Sequence, residues 1–402
     1  MTKVTQDWQA LVNESVEFRR ELHRHPELSW AEQATAQRIR QRLDALGIRW
    51  RECAQTGTLA TLAADRPGKH IALRADIDAL PIHEESGVHW QSDFAGCMHA
   101  CGHDGHTASL YATTLWLKQH EAELPGPVTL VFQPAEEGGH GAKRMIEAGA
   151  LNGVDAIFGW HNWPAIPYGQ AVCPDGTVMA GNGTFKIELR GRGGHASQPE
   201  QCRDPLLAGS AIVVALQQVV ARRFAPQQAV VLSVTSFDAR SGVTVIPETA
   251  VLEGSFRLAD PATREPLKQW VTDIAESTAK AYGVECQVTL YPRYNATMNH
   301  PAEAERYRHA LQAEFGDGWL STQTPLPIMA SEDFSYYLAE VPGAFALIGS
   351  DDGGVNHHHP CHSPKYDFND ALIPHIARIY SRLVGAPVPG TDGQQQSVIH
   401  NK

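Results

Sequence analysis

The segment Val128–Glu137 (VTLVFQPAEE) combines a strongly apolar run with two adjacent acids at its end. Such a run predicts a strand buried on both faces, as in a parallel sheet. Two other segments have the same form: HIALRA (70–75) precedes Asp76, and AIFGW (156–160) precedes His161. Ligands of open parallel sheets collect at the carboxyl ends of the strands. The sequence therefore predicts an α/β fold with a mainly parallel sheet, at one edge of which these polar residues meet.

Helical patterns lie between these strands and before them. Residues Thr107–His120 and Ala142–Ala148 are predicted helices, which gives the βαβ alternation of a parallel sheet. Upstream, Ser29 and Glu32 fit a capping box at the start of a helix that Gly47 ends.

A second pattern begins at about Asn182. The predicted elements change there to strand, helix, two strands, helix and strand, which is the order of a small two-layer domain. Elements of the first kind resume after Pro301, and 402 residues exceed the size at which a single core stops growing. We therefore expect a discontinuous first domain (1–181 and 297–402) that contains an inserted domain (182–296).

Composition excludes several classes of protein. The formal charge is −12 and no stripe rich in Lys or Arg occurs, which argues against nucleic-acid binding. No run of 18 apolar residues and no signal-peptide pattern is present, so we expect a cytoplasmic protein without a membrane partner. Seven cysteines are not typical of a disulfide framework. The Gly-, Pro- and Gln-rich residues 385–402 predict a solvated tail.

The segment MHACGHDGH (98–106) is the first candidate for chemistry. Cys101 and His103 stand two residues apart, and a thiolate and an imidazole in close order suit zinc or another borderline divalent metal. Gly102 and Gly105 allow the loop to bend around an ion. The alternative is a solvated polar loop with one buried cysteine.

Two further clusters support a metal site. Glu136 and Glu137 follow a buried strand, and adjacent acids on an irregular backbone can point differently, one to a metal and one to a water. An exposed acidic pair is the alternative. The segment HHHPCHSPKYDF contains His357–His359 and His362, and the residues alone do not choose among these histidines.

Six motifs together are similar to those of a known family. They occur in the order MHACGHDGH, QPAEEGG, GWHNWP, GGHAS, ASEDFSYYL and HSPKYDFND. The chain resembles the M20 metallopeptidase clan, in particular the amidohydrolase branch of hippurate hydrolases, auxin-amino-acid conjugate hydrolases and N-acyl-amino-acid amidohydrolases. This resemblance implies a zinc-peptidase-like catalytic domain, an inserted lid or dimerisation domain, and a homodimer.

The resemblance also implies two divalent ions per subunit, which could be Zn, Mn, Co or Ni. Cys101 would bridge the ions, and Glu136 matches the general base. Asp76 matches an acid that orients a ligand. The remaining metal ligands would be His103 and His161 on one ion, and Glu137 and His362 on the other.

Three positions of the inserted domain are implied to contact substrate. His195 resembles a residue that the family supplies across a dimer interface to the carbonyl oxygen of the substrate. Arg257 is a possible partner for a substrate carboxylate, or else part of a surface ion pair. Thr244 stands where relatives commonly have Asn, and Ala330 where they have Gly, so substrate preference is expected to differ.

The sequence thus predicts a metal-dependent amidohydrolase that cleaves the amide bond of N-acyl amino acids. Glu136 would activate the attacking water between the two ions. A dipeptidase or carboxypeptidase of the same clan is the main alternative, and a metal-binding protein with a dead site is another. Family members with a cysteine at the bridging position, where this chain has Cys101, mostly resemble acyl-amino-acid hydrolases. This resemblance favours the amidohydrolase hypothesis.

Overall fold

The computed structural model of the protein describes residues 7–390, which form two compact units. Unit 1 comprises the described residues up to Gly176, Met298–Pro325, and those from Tyr336 onward. Unit 2 comprises Thr177–Thr297 and Leu326–Ser335. The segment 326–335 thus groups with unit 2, whereas the sequence placed it in the first domain. The roles expected for the two domains stay predictions, and most of the predicted tail, residues 391–402, lies outside the described residues.

The helices of the described residues share a common feature, a buried apolar side. They are α1 (Trp8–Arg24), α2 (Gln33–Ala45), α3 (His103–Gln119), α4 (Gly141–Glu147), α5 (Pro205–Gln218), α6 (Arg264–Ala281), α7 (Pro301–Phe315), α8 (Ser335–Glu340) and α9 (Leu372–Val384). The strands are β1 (Trp50–Cys53), β2 (Gly57–Leu62), β3 (Ile71–Asp76), β4 (Val128–Gln133), β5 (Ala156–Pro167), β6 (Ala171–Val172), β7 (Gly176–Met179), β8 (Gly181–Arg190), β9 (Gly194–His195), β10 (Val230–Asp238), β11 (Val245–Ile246), β12 (Thr249–Leu258), β13 (Glu285–Pro292), β14 (Thr297–Asn299) and β15 (Gly343–Asp351).

Unit 1 is built on a seven-stranded sheet in the order β1-β2-β4-β3-β5-β15-β6. The four central strands β4, β3, β5 and β15 are parallel, and β2 and β6 join them in antiparallel pairs. Every residue of β3 and β4 is buried, as expected for strands covered on both faces. The predicted α/β class with a mainly parallel sheet is confirmed.

Helix α1 is an element that the sequence pattern did not predict. Its buried residues Leu11, Phe18 and Leu22 recur at helical spacing and lie in the core of unit 1. The same face carries Arg19, whose fully buried guanidinium lies 3.1 Å from the carboxylate of Asp104. An arginine is normally expected on the exposed face of a helix, so Arg19 interrupted the apolar periodicity of α1 in the sequence. Its burial is possible because acids neutralise its charge.

The predicted capping box at the start of α2 does not form. The hydroxyl of Ser29 donates instead to the carboxylate of Asp78 at 2.6 Å. Glu32 is the N-cap residue, but its side chain makes no capping bond. The carboxylate of Glu27 accepts from the backbone N–H of Thr35 at 2.7 Å and so fills that role. A tertiary contact with a buried acid outweighed the local cap, since a buried carboxylate requires donors.

Unit 2 has the predicted order of strands and helices. β8, α5, β10, β12, α6 and β13 follow one another, and the strands form an antiparallel sheet in the order β10-β12-β8-β13. Alternate residues of β8 and β12 are buried, and together with α5 and α6 they form a separate apolar core. A small ribbon of β9 and β11 is added to this frame.

One helix of unit 2 is long and apolar enough to cross a membrane by length and composition alone. It runs over Pro205–Arg223 with a mean hydropathy of 1.4. In the structure, however, Ala208, Ile212 and Leu216 pack in the core of unit 2. This helix therefore serves as a core helix of the two-layer unit.

Candidate metal centre

The strand register of unit 1 aligns Asp76, Gln133 and His161 across neighbouring strands toward the carboxyl ends of β3 and β4. In β3, Asp76 lies opposite Gln133, the last residue of β4. On the other side Leu73 pairs with Phe158 of β5, so Asp76 and His161 lie three residues further along their strands. β5 continues to Pro167, so His161 lies within a strand and does not close it as the sequence suggested.

Five side chains of unit 1 form two groups that share one thiol. The ligand atoms of Cys101, His103 and His161 lie within 4.8 Å of one another, and so do those of Cys101, Glu137 and His362. The Sγ atom of Cys101 is 3.3 Å from Nε2 of His161, and Nε2 of His362 is 3.1 Å from Oε1 of Glu137. Two overlapping groups with thiolate, imidazole and carboxylate donors match the composition of a dinuclear site for borderline metals.

Two of these histidines are oriented as metal-binding histidines are. Nδ1 of His103 donates to the backbone carbonyl of Asp78 at 2.9 Å, and Nδ1 of His161 to that of Asn162 at 2.6 Å. Each ring therefore presents Nε2 to the centre as an unprotonated ligand atom. Nε2 of His103 is buried and makes no hydrogen bond. A cation at this position would satisfy a buried nitrogen that makes no hydrogen bond within the protein.

The charges around these rings favour a cation between them. Burial and the neighbouring His106 hold the pKa of His161 well below its usual value, which keeps the ring neutral. Burial also lowers the pKa of His103, but the carboxylates of Asp76 and Asp78 outweigh it and raise this pKa to about 10. The position beside Nε2 of His103 therefore attracts positive charge, and a divalent cation can replace the proton there.

The environment of the Cys101 thiol also favours a bound cation. Its hydrogen bond with Cys361 and its burial raise the pKa of Cys101 well above the usual value. A thiolate at this position is unfavourable unless a positive charge lies beside it. The donor set therefore fits a metal pair, which would hold Cys101 as the thiolate.

The carboxylate of Asp78 connects the three functional segments. Besides its carbonyl contact with Nδ1 of His103, its Oδ1 lies 3.3 Å from the same nitrogen. The backbone N–H groups of Glu136 and Glu137 donate to its two oxygens at 3.1 and 3.0 Å. Burial raises the pKa of Asp78, but the hydrogen bond and charge of His103 together with the hydrogen bonds from Ser29 and the backbone of Glu137 outweigh it. The net shift is downward, so the side chain is ionised. This one acid fixes a ligand and both glutamates relative to one another.

The contacts of Asp76 differ from those expected from the sequence, which predicted that this acid orients a metal ligand. Its oxygens lie 2.6 Å from Arg74 and 2.6 Å from Nδ1 of His106, and its nearest approach to His103 is 3.5 Å, at Nε2. It is therefore Asp78, two residues later, that orients the ligand. The sequence could not distinguish the two acids, because Asp76 ends β3 and Asp78 lies in the turn directly after it, and only the path of that turn decides which carboxylate faces Nδ1.

Residues with left-handed backbone conformation occur in the two loops that carry candidate ligands, one around Gly102 and one around His362. Gly102, between the first two ligands, has φ +91°, and a Cβ there would lie 2.4 Å from Oδ1 of Asn162 and 2.5 Å from the hydroxyl of Tyr366. His362 has φ 70° and its N–H donates to the carbonyl of Ala100 at 2.7 Å. A strained non-glycine residue is maintained only where the surroundings fix it, and such residues concentrate at functional sites.

The structure distinguishes His362 from its histidine neighbours. His357 lies 2.9 Å from the carboxylate of Asp352, and Nδ1 of His358 lies 3.1 Å from the carbonyl of Gly354. Among the described residues, only His362 of this segment belongs to a group that could hold a metal. The residues of this segment by themselves could not make this choice, because a tertiary contact between the loop and Ala100 positions His362.

The other polar residues beside Cys101 stabilise the loop. The carboxylate of Asp104 lies 2.8 Å from Nδ1 of His23 and also contacts the buried Arg19. His99 is fully buried, and burial lowers its pKa to about 4. Asp104 thereby anchors the start of α3 to α1, and breaking such a buried charge network is strongly destabilising.

His195, Thr244 and Arg257 lie in unit 2. His195 is exposed in β9 opposite Val245 of β11, and the carbonyl of Thr244 accepts the N–H of the residue after His195 at 2.9 Å. Arg257 is half-buried in β12 and donates to the carbonyl of Phe256 at 3.0 Å. Burial and the nearby Arg293 lower the pKa of Arg257. Among the described residues Arg257 forms no ion pair, and its role stays a prediction.

Comparison with known proteins settles the family. Residues 72–386 match the description "Peptidase family M20/M25/M40". This chain belongs to that family. M20 enzymes are metal-dependent amidohydrolases and peptidases, and the α/β architecture and the paired metal groups of this M20 protein agree with that chemistry.

Relatives in the M20 family have several names. The chain is 40% identical over 351 residues to N-acetyl-L-cysteine deacetylase of Bacillus subtilis, which is 87% of this chain and 83% of the relative. It is 38% identical to IAA-amino acid hydrolase ILR1-like 2 of Arabidopsis thaliana, over 92% and 84% of the two chains. Thermostable carboxypeptidase 2 of Saccharolobus solfataricus is 35% identical, over 92% and 93%.

A solved structure agrees with the fold. The Bacillus subtilis YXEP protein, described as a dinuclear metal binding peptidase of the M20 family, superposes with a TM-score of 0.82. The identity is 33%, and the match covers 94% of this chain and 98% of that one. The protein is thus a member of a family of amide-bond hydrolases with metal centres.

Proposed function

We propose that this protein is an N-acyl-amino-acid amidohydrolase that releases an amino acid from a hippurate-like or auxin-conjugate-like substrate. One observation carries the proposal: two groups of ligand side chains share Cys101, and a third group joins His103, Glu136 and Glu137 within 4.8 Å. The carboxylate of Glu136 therefore stands beside the ligands of both ions. This arrangement supports a base next to a dinuclear centre.

Each residue of the centre has a separate task. When bound, two divalent ions polarise the amide carbonyl and lower the pKa of a water toward ~7. Cys101, His103, Glu137, His161 and His362 would hold them. Glu136 takes the proton of the attacking water and later passes it to the departing amine. Asp78 fixes the positions of His103 and Glu136 relative to each other through its hydrogen bonds.

Two residues of unit 2 would complete substrate recognition. His195 would donate a hydrogen bond to the substrate carbonyl oxygen as negative charge develops, which for a single well-placed donor is worth about 2.7–4 kcal/mol. Arg257 would pair with the carboxylate of the amino-acid product. The half-buried position of Arg257 and its lack of an acidic partner among the described residues support this role, since a desolvated guanidinium binds carboxylates well.

A dipeptidase or carboxypeptidase of the same family is the alternative. The carboxypeptidase among the relatives favours it, while the deacetylase and the auxin-conjugate hydrolase favour the proposal. The substrates of the two candidate activities differ in the group on the acyl side of the scissile bond. In a dipeptide this group carries a free amine, and in an N-acyl amino acid it does not.

A hydrolysis panel tests the proposed substrate class. Metal-stripped protein is loaded with Mn, Zn, Co or Ni, and kcat/KM is measured on benzoyl, acetyl and indole-acetyl amino acids and on the matching dipeptides. We expect at least tenfold higher kcat/KM for the acyl amino acids. Faster dipeptide cleavage would favour the peptidase, and metal binding without any turnover would favour a dead site.

We also propose that the protein is a cytoplasmic homodimer joined through unit 2. The outer face of α5 exposes Leu206 (44%), Leu207 (55%) and Val214 (73%), and β10 is an edge strand of its sheet. Exposed apolar side chains beside a free strand edge mark a surface suited to a partner. A second copy of the chain is the occupant that the family resemblance implies.

Mixed dimers provide a test of the shared site. His195→Ala and Glu136→Ala proteins should each keep only a small residual activity, but co-incubation under conditions that exchange subunits should restore about a quarter of the wild-type activity. The reason is that random exchange makes half of the dimers hybrid, and each hybrid holds one intact composite site. Exchange demonstrated by native mass spectrometry without any recovered activity would place His195 in the site of its own subunit.

A further inference from the structure

The imidazole of His195 makes two contacts with a single neighbour. The backbone N–H of Ser197 lies 3.1 Å from Nδ1 of His195, and the hydroxyl of Ser197 lies 2.7 Å from the same atom. Both residues are exposed in the GGHAS segment of unit 2. The family comparison assigns no role to this serine.

These contacts determine which ring nitrogen carries the proton. A backbone N–H can only donate, so Nδ1 of His195 must accept. A neutral imidazole has one donor and one acceptor nitrogen, and the proton is therefore on Nε2. The serine hydroxyl, free to rotate, then donates to Nδ1 as well. His195 is thereby held as an Nε2–H donor.

The backbone around His195 is fixed by further hydrogen bonds. Strand β9 pairs with β11, and the N–H of Ala196 donates to the carbonyl of Thr244 at 2.9 Å. The N–H of Gln198 donates to the carbonyl of His195 at 2.9 Å, which closes a tight turn around Ser197. Position 244 contributes through its carbonyl, which any residue supplies. The Thr-for-Asn difference at this position therefore leaves the support of His195 intact.

We propose that Ser197 is a positioning residue that fixes the tautomer and the ring orientation of His195, so that Nε2–H is presented to the substrate carbonyl oxygen. This proposal rests on the proposed function for the identity of the acceptor. The tautomer itself follows from contacts within unit 2. An oxyanion needs a donor that is in place before charge develops, and a ring free to turn would lose part of that benefit.

Nuclear magnetic resonance tests the tautomer without any substrate. Protein with ¹⁵N-labelled histidine is recorded above the titration range of imidazole, and His195 is assigned by its missing signals in His195→Ala. We expect Nδ1 at the shift of an unprotonated nitrogen and Nε2 at that of a protonated one. In Ser197→Ala the backbone N–H of residue 197 still donates to Nδ1 but the hydroxyl donor is lost, so the two shifts should move part of the way toward each other. A protonated Nδ1 in the wild type overturns the proposal, and so does a spectrum that Ser197→Ala leaves unchanged.

Kinetics test the consequence of the tautomer. On whichever substrate of the panel is cleaved, Ser197→Ala should lower kcat roughly tenfold with little change in KM, and Ser197→Thr should restore most of it because the hydroxyl returns. In a His195→Ala background, Ser197→Ala should have no further effect. An equal loss in both backgrounds would show a merely structural role and overturn the proposal. Absence of all turnover would refute the proposed function while leaving the tautomer result valid.

Discussion

Glu136→Gln is expected to reduce kcat by roughly 10²–10⁴ while fold and metal content remain those of the wild type. The amide has the size and polarity of the carboxylate but cannot accept a proton from water. The backbone N–H of residue 136 would still donate to Asp78, so the loop should keep its position. Metal content by plasma mass spectrometry, circular dichroism and steady-state kinetics on the same preparation measure the three quantities.

Glu137→Gln is the matched control for this prediction. The neighbouring side chain has the same chemistry, and its backbone N–H also bonds Asp78, at 3.0 Å. Its carboxylate, however, lies 3.1 Å from Nε2 of His362 and would hold a metal. We expect loss of both metal and activity. Should metal loss follow position 136, or should Glu136→Gln turn over at a near wild-type rate, the roles assigned to the two glutamates are wrong.

Cys101→Ser is expected to lower the affinity for both metal ions and to abolish most of the activity. The thiol belongs to both ligand groups, so its removal takes a donor from each ion at once. His103→Ala should mainly weaken one of the two ions. Both effects should exceed the roughly 10–100-fold that removal of an outer partner of a ligand typically costs. Isothermal titration of metal into the stripped proteins resolves the two sites.

The control for the ligand variants is His358→Ala, because His358 lies in the same histidine-rich segment as His362. Its Nδ1 contacts the carbonyl of Gly354, and it belongs to no metal group of the described residues. We expect wild-type metal binding in this variant. Full metal occupancy in Cys101→Ser, or metal loss in His358→Ala, would mean that the ligand set is incorrectly assigned.

Sequence determined the class of fold because its pattern is periodic and local. A short run such as VTLVF, rich in β-branched residues, favours a strand covered on both faces, and alternation with helices favours parallel pairing. The β-α-β-β-α-β order of unit 2 could be read for the same reason. α1 escaped detection because the buried Arg19 interrupts its apolar stripe, and the acids that neutralise this arginine lie far along the chain.

Sequence by itself also indicated the residue types of the candidate metal centre and, through resemblance, five predicted ligands whose side chains the structure brings into two groups. Only the tertiary structure decided which neighbours hold them. Asp76 and Asp78 leave the same strand two residues apart, yet the turn after β3 directs Asp78 to His103 and to the backbone of Glu136, and Asp76 to Arg74 and His106. Local spacing cannot distinguish these acids, because hydrogen-bond partners supplied by distant segments determine the position of each one.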